Sequence, residues 1–240
     1  TINLLKLCEK YFIENFIFSS SATVYGESKS PLFENSQVGN GITNPYGKTK
    51  YYVENILQDV AKSSNLKVIV LRYFNPVGAH ESGLIGEDPN GKPTNLMPFI
   101  QRVAIKNNLN NNLDDIYKYL NIYGNNYNTI DGTAIRDFIH VVDLADAHLK
   151  AISKINNLEN KLNIYNIGTG KGTTVLEIVK TFERVNNVII PYKISNKRPG
   201  DIDIVFCDSS KALKELNWKS KKTIEDICRD GYNFCINSNK

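Results

Sequence analysis

Two short runs, Phe16-Ile17-Phe18 and Val68-Ile69-Val70-Leu71, are too apolar to face water and too short to be buried helices, so each reads as a buried strand. The stretch between them has a different period. Apolar residues at Val53, Ile56, Leu57, Val60 and Ala61 fall on one helical face, and ahead of them Asn44 can cap a helix that Pro45 opens. A strand, an amphipathic helix and a second strand in that order predict parallel strands joined by a right-handed crossover. The pattern continues elsewhere. An amphipathic helix is expected over 2–13, and another from an N-cap at Asp143 to about Ile152. Leu162 to Ile167 reads as a third buried strand, followed by a helix from Val175 to Val185 opened by a Thr174–Glu177 capping box. The expected class is α/β with a parallel sheet.

The remaining segments are shorter. Helices are expected from Leu96 to Ile105 and near 209–215 and 223–236. Short strands are expected at Leu120 to Gly124, along Arg136 to Val141, near Val188 to Tyr192 and near Ile204 to Cys207. Trp218 reads as a packing residue. The Asn-rich segment from Asn107 to Asp115 has few apolar residues and is expected to be a disordered insertion. Gly168-Thr169-Gly170-Lys171-Gly172 follows a strand and precedes a helix, as a dinucleotide fingerprint would. Its spacing is GxGxG rather than GxGxxG, and no second unit with a ribose-binding acid follows, so a tight turn is expected.

Composition narrows the function classes. The net charge of +4 over 240 residues is spread along the chain. Its densest basic cluster, Lys219, Lys221 and Lys222, reads as a solvated loop, so nucleic acid is not an expected partner. There is no run of about 18 apolar residues and no charged-apolar-small leader, which predicts neither membrane span nor signal peptide. Cys8, Cys207, Cys228 and Cys235 form no CxxC pair, and no histidine stands at zinc-ligand spacing. Reduced thiols, a cytoplasmic setting and no metal are expected. His140 and His148 are assigned to a helix entry and to the surface.

The candidate chemistry sits at the start of the 45–61 helix. Tyr46 and Lys50 are four apart and therefore share one side of it. An ammonium held there favours the phenolate and pulls the tyrosine pKa down from about 10, which makes the residue a general acid/base. The motif alone is weak. With 13 tyrosines in the chain, Tyr-x-x-x-Lys is expected about once by chance, and Tyr25 with Lys29 forms a second copy. Gly26, Ser28, Ser30 and Pro31 place that copy in a loop, out of helical register. Small hydroxylated residues from Ser19 to Thr23 follow the first strand, where open parallel sheets place ligands.

Six blocks then occur in order: Asn15-Phe-Ile-Phe-Ser-Ser-Ser-Ala-Thr-Val-Tyr-Gly26, Asn44-Pro-Tyr-Gly-Lys-Thr-Lys50, Leu71-Arg-Tyr-Phe-Asn-Pro-Val-Gly-Ala-His80, Gly86-Glu-Asp-Pro89, Asn95-Leu-Met-Pro98 and Arg136-Asp-Phe-Ile-His-Val-Val-Asp-Leu-Ala145. Together they resemble the extended short-chain dehydrogenase/reductase superfamily and, within it, the UDP-glucose 4-epimerase family, through nearly the whole chain apart from the Asn-rich insertion. The resemblance implies a partial Rossmann-type doubly wound parallel sheet with a smaller α+β substrate lobe. Residues 1–75 with 137–168 would form part of the NAD-binding domain, and 76–136 with 169–240 the UDP-sugar lobe.

Position by position, the resemblance implies Tyr46 as the base, Lys50 as its partner and a contact of the nicotinamide ribose, and Ser21 as the catalytic serine. Tyr73 and Phe74 match residues lining the nicotinamide pocket. Asn75, Asn95 and Leu96 match groups that grip the UDP moiety, and Tyr123 lies where uracil is stacked. Arg136 and Arg198 match pyrophosphate-binding arginines, and Asp201 a residue on the uridine ribose. The implied reaction is reversible 4-epimerisation of UDP-glucose and UDP-galactose. Tyr46 takes the proton of the sugar 4-hydroxyl while C4 gives its hydride to NAD, the 4-keto sugar swings over, and the hydride returns to the other face. Val205 falls where a bulky aromatic would restrict the sugar, so its small size implies that UDP-N-acetylhexosamines are accepted. A homodimer through helices 2–13 and 46–61, forming a four-helix bundle, is also implied.

The family's opening strand, GxxGxxG turn and ribose-binding acid have no counterpart here, a difference of about a hundred residues that covers the first mononucleotide-binding unit. The expectation is a fragment that by itself binds NAD poorly or not at all, with unpaired edges on the strands at 16–20 and 67–74. Two alternatives remain open. One is another nucleotide-sugar enzyme such as a 4,6-dehydratase, although Ala22-Thr23 stands where that chemistry uses Asp-Glu. The other is a catalytically inert dimer scaffold.

Overall fold

The computed structural model describes residues 1–108 and 114–238. In chain order its elements are α1 (Ile2–Lys10), β1 (Asn15–Ser21), α2 (Pro45–Ser63), β2 (Lys67–Tyr73), β3 (Asn75–Val77), α3 (Leu96–Asn108), β4 (Leu120–Tyr123) and β5 (Ile135–Arg136). There follow β6 (Phe138–His140), α4 (Val141–Lys154), β7 (Leu162–Ile167), β8 (Thr173–Thr174), α5 (Val175–Asn186), β9 (Tyr192–Ser195), β10 (Ile204–Val205) and α6 (Ile224–Ser238). The chain divides into two compact units. One comprises Thr1–Phe74, Leu144–Gly170 and Phe206–Lys219, and the other Asn75–Asp143, Lys171–Val205 and Ser220–Lys240.

In the first unit β1, β2 and β7 form a parallel sheet in that order, with Asn15 opposite Lys67, Ser21 opposite Tyr73 and Val68 opposite Leu162. Central β2 is the continuously apolar strand, as burial on both faces requires. Leu57 and Ala61 of α2 pack with Val68, Val70 and Leu5 of α1. The start of α2 is the one its sequence specifies: the Asn44 side-chain oxygen accepts the Gly47 N–H at 2.7 Å, and Pro45 occupies the first turn. Because β2 is paired along both sides, the open edge expected on 67–74 does not exist; the edges of this sheet are β1 and β7.

An arginine stands next to the carboxyl end of that apolar strand. Arg72 Nη2 meets Glu54 Oε2 at 2.7 Å, and its Nε meets Oε1 at 3.1 Å. Its Nη1 donates to the Tyr25 hydroxyl at 3.0 Å and to the Glu34 carbonyl at 3.1 Å. Ser20 donates to Glu54 at 2.5 Å, and Tyr25 to Asn166 at 2.6 Å. Every strong partner of this buried cation is thus in place. Tyr25, from the second Tyr-x-x-x-Lys copy, is a core residue in a 3-10 turn, its phenol pushed up to about 12 by burial.

The second unit contains three small sheets, β10-β5-β8, β3-β6 and β4-β9, in which only β5 with β8 is antiparallel. Its core joins Met97 and Ile100 of α3, Ile178 and Phe182 of α5, and Ile227 and Tyr232 of α6. The Thr174–Glu177 capping box is present at the start of α5.

Several boundaries differ from expectation. The strand expected near Val188–Tyr192 begins only at Tyr192. Asn187 takes a left-handed conformation after α5, Ile190 is buried with its N–H on Glu183 at 2.8 Å, and pairing with β4 opens at Leu120 opposite Tyr192. Asp143 lies inside α4 rather than capping it. His140 Nδ1 accepts the Val142 N–H at 3.1 Å, and the Asp143 carboxylate accepts the backbone N–H groups of Lys221 and Lys222 at 2.8 and 2.9 Å. Lys222 also pairs with Glu81 at 2.9 Å, so this part of the basic cluster is anchored rather than loose. The helix expected near 209–215 is a short wide turn, Ala212–Leu216.

Of the Asn-rich segment, Asn107 and Asn108 complete α3 and bond back to Val103 and Ala104, while 109–113 lie outside the described residues. Residues 206–219 belong with the first unit because Leu32 pairs with Phe206 and Asp208 through backbone bonds, and 137–143 with the second because β6 pairs with β3. Among the described residues no helix is long and apolar enough to cross a membrane.

Candidate active site

In the first unit the sequence-selected residues gather at the carboxyl ends of β1 and β2. Lys50 Nζ donates to the Ser19 carbonyl at 2.8 Å and lies 5.4 Å from the centroid of the Tyr46 ring, one helical turn away, and 5.1 Å from that of Phe18. Partial burial lowers the Lys50 pKa. Tyr46 itself is exposed.

Ser21 ends β1. Its Oγ accepts the Thr23 N–H at 3.2 Å and the Thr23 hydroxyl at 3.0 Å, which leaves its own proton to donate. Thr23 in turn lies against Gly47. A Cβ on Gly47 would meet Thr23 Cβ and Oγ1 at 3.1 Å and Ile42 Cγ2 at 2.8 Å. Glycine beside Tyr46 therefore lets the first turn of α2 close onto the Ser21 turn.

Tyr73, at the end of β2, has its hydroxyl 2.7 Å from Ser19 Oγ and 2.5 Å from His148 Nε2. His148 was expected on the surface. It is half-buried instead, because its position on α4 carries it against the carboxyl end of β2. Phe74 points inward and packs near Tyr25, ring centroids 6.5 Å apart, with its N–H on the Ile167 carbonyl at 3.2 Å, so the structure does not bring its ring to the Tyr46–Lys50 pair.

In the second unit, two guanidinium groups converge on one carboxylate. Arg198 reaches Asp201 through Nε at 2.8 Å and Nη2 at 3.3 Å, and Arg136 Nη2 approaches it at 3.6 Å. Burial lowers the Arg136 pKa, with Asp201 opposing. The Arg198 fork lies 5.1 Å from the Tyr123 ring centroid. Tyr127, which the sequence reading did not single out, is buried, donates to Asp201 at 3.4 Å, and has its pKa raised chiefly by burial. Val205 is half-buried and pairs in register with Arg136 across β10 and β5. Asn75 bonds through its N–H to the Asp137 carbonyl. Asn95 and Leu96 stand at the start of α3, with the Asn95 amide on Glu87 at 2.8 Å.

The arrangement offers a tyrosine–lysine pair for proton transfer in one unit, and in the other paired cationic forks beside an aromatic ring. Such forks match phosphate oxygens bidentately. Among the described residues no group of His, Cys, Asp and Glu could hold a metal ion. Ser19 and Thr23 lie in the hydroxylated run that the sequence placed at a ligand-bearing strand end, without individual roles, whereas His148 and Tyr127 were missed because nothing in their spacing separates them from ordinary helix and loop residues. Arg72 carried a signal, being charged within an otherwise buried strand.

Comparison with known proteins places these features in context. The family model described as NAD dependent epimerase/dehydratase family matches residues 1–168. A UDP-glucose 4-epimerase of Caenorhabditis elegans is 49% identical over 98% of this chain, which spans 65% of that relative's length. Among solved structures, UDP-glucose 4-epimerase of Stenotrophomonas maltophila, with bound NAD and formylated UDP-arabinopyranose, superposes with a TM-score of 0.92 at 40% identity, over 99% of this chain and 68% of that one. UDP-glucose 4-epimerase of Bifidobacterium longum, in complex with NAD+ and UDP, gives 0.89 at 45% identity, over 98% and 68%. With a match of that extent and a parallel sheet carrying Tyr46 and Lys50 at its carboxyl end, the chain belongs to the NAD dependent epimerase/dehydratase family.

Proposed function

We propose that the protein carrying these residues interconverts UDP-glucose and UDP-galactose by inverting C4 of the hexose, with NAD as its bound redox cofactor. The observation that carries this reading is the Lys50 ammonium, held by the Ser19 carbonyl one turn from Tyr46. Its fit to NAD rests on Lys50 itself. A desolvated ammonium whose hydrogen-bond acceptor among the described residues is one carbonyl has donors left for ribose hydroxyls. Tyr46, Lys50 and Tyr73 would flank the nicotinamide end. When bound, NAD supplies the two-electron acceptor and donor for C4.

The chain's own part is proton transfer and grip. Tyr46 Oη takes the proton of the sugar 4-hydroxyl and later returns it. Ser21, with its lone pairs engaged by Thr23, donates to the same oxygen. Arg136 and Arg198 hold the diphosphate, Tyr123 stacks on uracil, and Asp201 moves to the ribose. Asn75, Asn95 and Leu96 complete the nucleotide grip. A dehydratase reading is disfavoured because Thr23, where an acid would be needed, is committed to Ser21.

Loss of one charged hydrogen-bonding group from such a grip costs about 1.5–3 kcal/mol, so Arg198→Ala is expected to weaken UDP binding about 10- to 100-fold. Titration calorimetry with UDP measures it, and unchanged affinity would remove the diphosphate assignment. For Val205 the expectation concerns the sugar. The native protein turns over UDP-N-acetylglucosamine as well as UDP-glucose, and Val205→Tyr suppresses the first selectively. A native protein inert toward UDP-N-acetylglucosamine would refute this.

We also propose that two copies pair through α1 and α2. Tyr11 and Phe12, at 61% and 89% exposure, lie with Ile2, Leu4 and Leu7 on or beside α1, an apolar surface of the kind that marks contact between proteins. Sedimentation showing only monomer at micromolar concentration would count against it.

A further inference from the structure

The hydrogen-bond chain that ends at Lys50 starts at a histidine, and for a neutral imidazole one set of bond directions satisfies every group. His148 Nδ1 lies 2.8 Å from the Leu144 carbonyl, which can only accept, so Nδ1 carries the proton. In the neutral ring Nε2 is then an acceptor, and its partner at 2.5 Å is the Tyr73 hydroxyl. That hydroxyl has one proton, and His148 takes it. With the tyrosine proton donated to His148, the 2.7 Å bond between Tyr73 Oη and Ser19 Oγ is made with the Ser19 proton; a doubly protonated ring would instead leave Tyr73 as the donor to Ser19. Ser19 is thereby fixed through its side chain, and its carbonyl holds the Lys50 ammonium at 2.8 Å. Four elements are threaded in sequence: α4, β2, β1 and α2.

We propose that His148 is a positioning residue for the Tyr46–Lys50 pair, acting through Tyr73 and Ser19 rather than by touching substrate. By accepting the Tyr73 proton, His148 commits it away from Tyr46 and turns a Tyr73 lone pair toward Ser19. Burial raises the Tyr73 pKa against the opposing effect of its Ser19 bond, with the net direction upward, so Tyr73 stays protonated while it serves this role. The edge-on packing of the two rings, centroids 5.5 Å apart at 64°, supports the geometry that the hydrogen bonds set. A purely structural histidine would need only the Leu144 bond and the ring packing. The acceptor nitrogen is the part that matters here.

The inference rests on the proposed role of Tyr46 and Lys50, yet its test needs no nucleotide. Side-chain nitrogen–proton NMR of the 240-residue chain is expected to show His148 as the neutral Nδ1–H tautomer, with Nε2 hydrogen-bonded. Tyr73→Phe should remove the Nε2 bond and leave the Nδ1–H bond to Leu144. Lys50 is followed separately by the titration of its side chain. In His148→Phe it is expected to titrate closer to the ordinary lysine value of about 10.4, because an unpinned Ser19 no longer holds it in place. His148→Gln, whose amide oxygen can accept from Tyr73, is expected to keep the native Lys50 titration.

An Nε2–H tautomer in the native chain would overturn the inference even if no variant folds. So would a Lys50 titration unchanged in His148→Phe with circular dichroism intact. Should UDP-sugars fail to bind while the tautomer and Lys50 results hold, the functional reading falls and this one stands.

Discussion

Tyr46→Phe is expected to lower epimerisation by about 10²- to 10⁴-fold, the contribution typical of a positioned general acid/base. The substitution is unusually clean in this setting. Tyr46 is 55% exposed, and the contact that engages its side chain, the Lys50 ammonium 5.4 Å from the ring centroid, survives in phenylalanine. The first turn of α2 depends on Asn44 and on the close approach of Gly47 to Thr23, neither of which involves the phenol. Folding and UDP-sugar affinity should therefore stay near wild type while kcat and kcat/KM fall together, the pattern of a group that acts only in the transition state. Steady-state kinetics with UDP-galactose distinguishes this from general damage, which would move the binding constant too. A variant retaining a third or more of native kcat would show that another group moves the proton.

The second large effect concerns stability. Arg72→Met is expected to cost about 3–5 kcal/mol, because it leaves the Glu54 carboxylate buried with Ser20 as its remaining side-chain partner. Arg72 and Glu54 are 2% and 7% exposed, so water cannot replace the lost cation. Removing both charges as Arg72→Met with Glu54→Leu should recover a substantial part of the loss, since no unpaired charge remains, though Tyr25 and the Glu34 carbonyl still lose a donor. Urea denaturation followed by circular dichroism reads both variants. An Arg72→Met variant within about 1 kcal/mol of native would mean that solvent reaches Glu54 and that the buried network contributes little.

Much of the first unit was legible because its signals are local. The cap at Asn44 and the apolar runs at 68–71 and 162–167 each specify an element without help from distant residues, as the Thr174 cap does in the second unit. What was not legible depends on residues far apart in sequence. Asp143 looks like an N-cap, but its partners are backbone groups at 221 and 222. Val188 to Tyr192 reads as a strand by composition, yet Ile190 is claimed by a helix-packed core and pairing starts where β4 is available. The same distinction runs through the site. Tyr46 and Lys50 could be paired by counting residues along a helix. Ser19, Tyr73 and His148, which come from three elements, meet only once the sheet is formed. Arg136 and Arg198 could be named from the family resemblance, and Arg198 meets Asp201 three residues on, but the approach of Arg136 to that carboxylate is a tertiary fact.

The central claim, that Tyr46 moves the 4-hydroxyl proton of a UDP-hexose whose C4 would be oxidised and reduced in turn with NAD, is tested most directly by supplying UDP-galactose and NAD to the protein and following the sugar anomeric proton by NMR. The account predicts that the UDP-glucose signal appears and grows to an equilibrium mixture. UDP-galactose that stays unchanged while both it and NAD are demonstrably bound would contradict it.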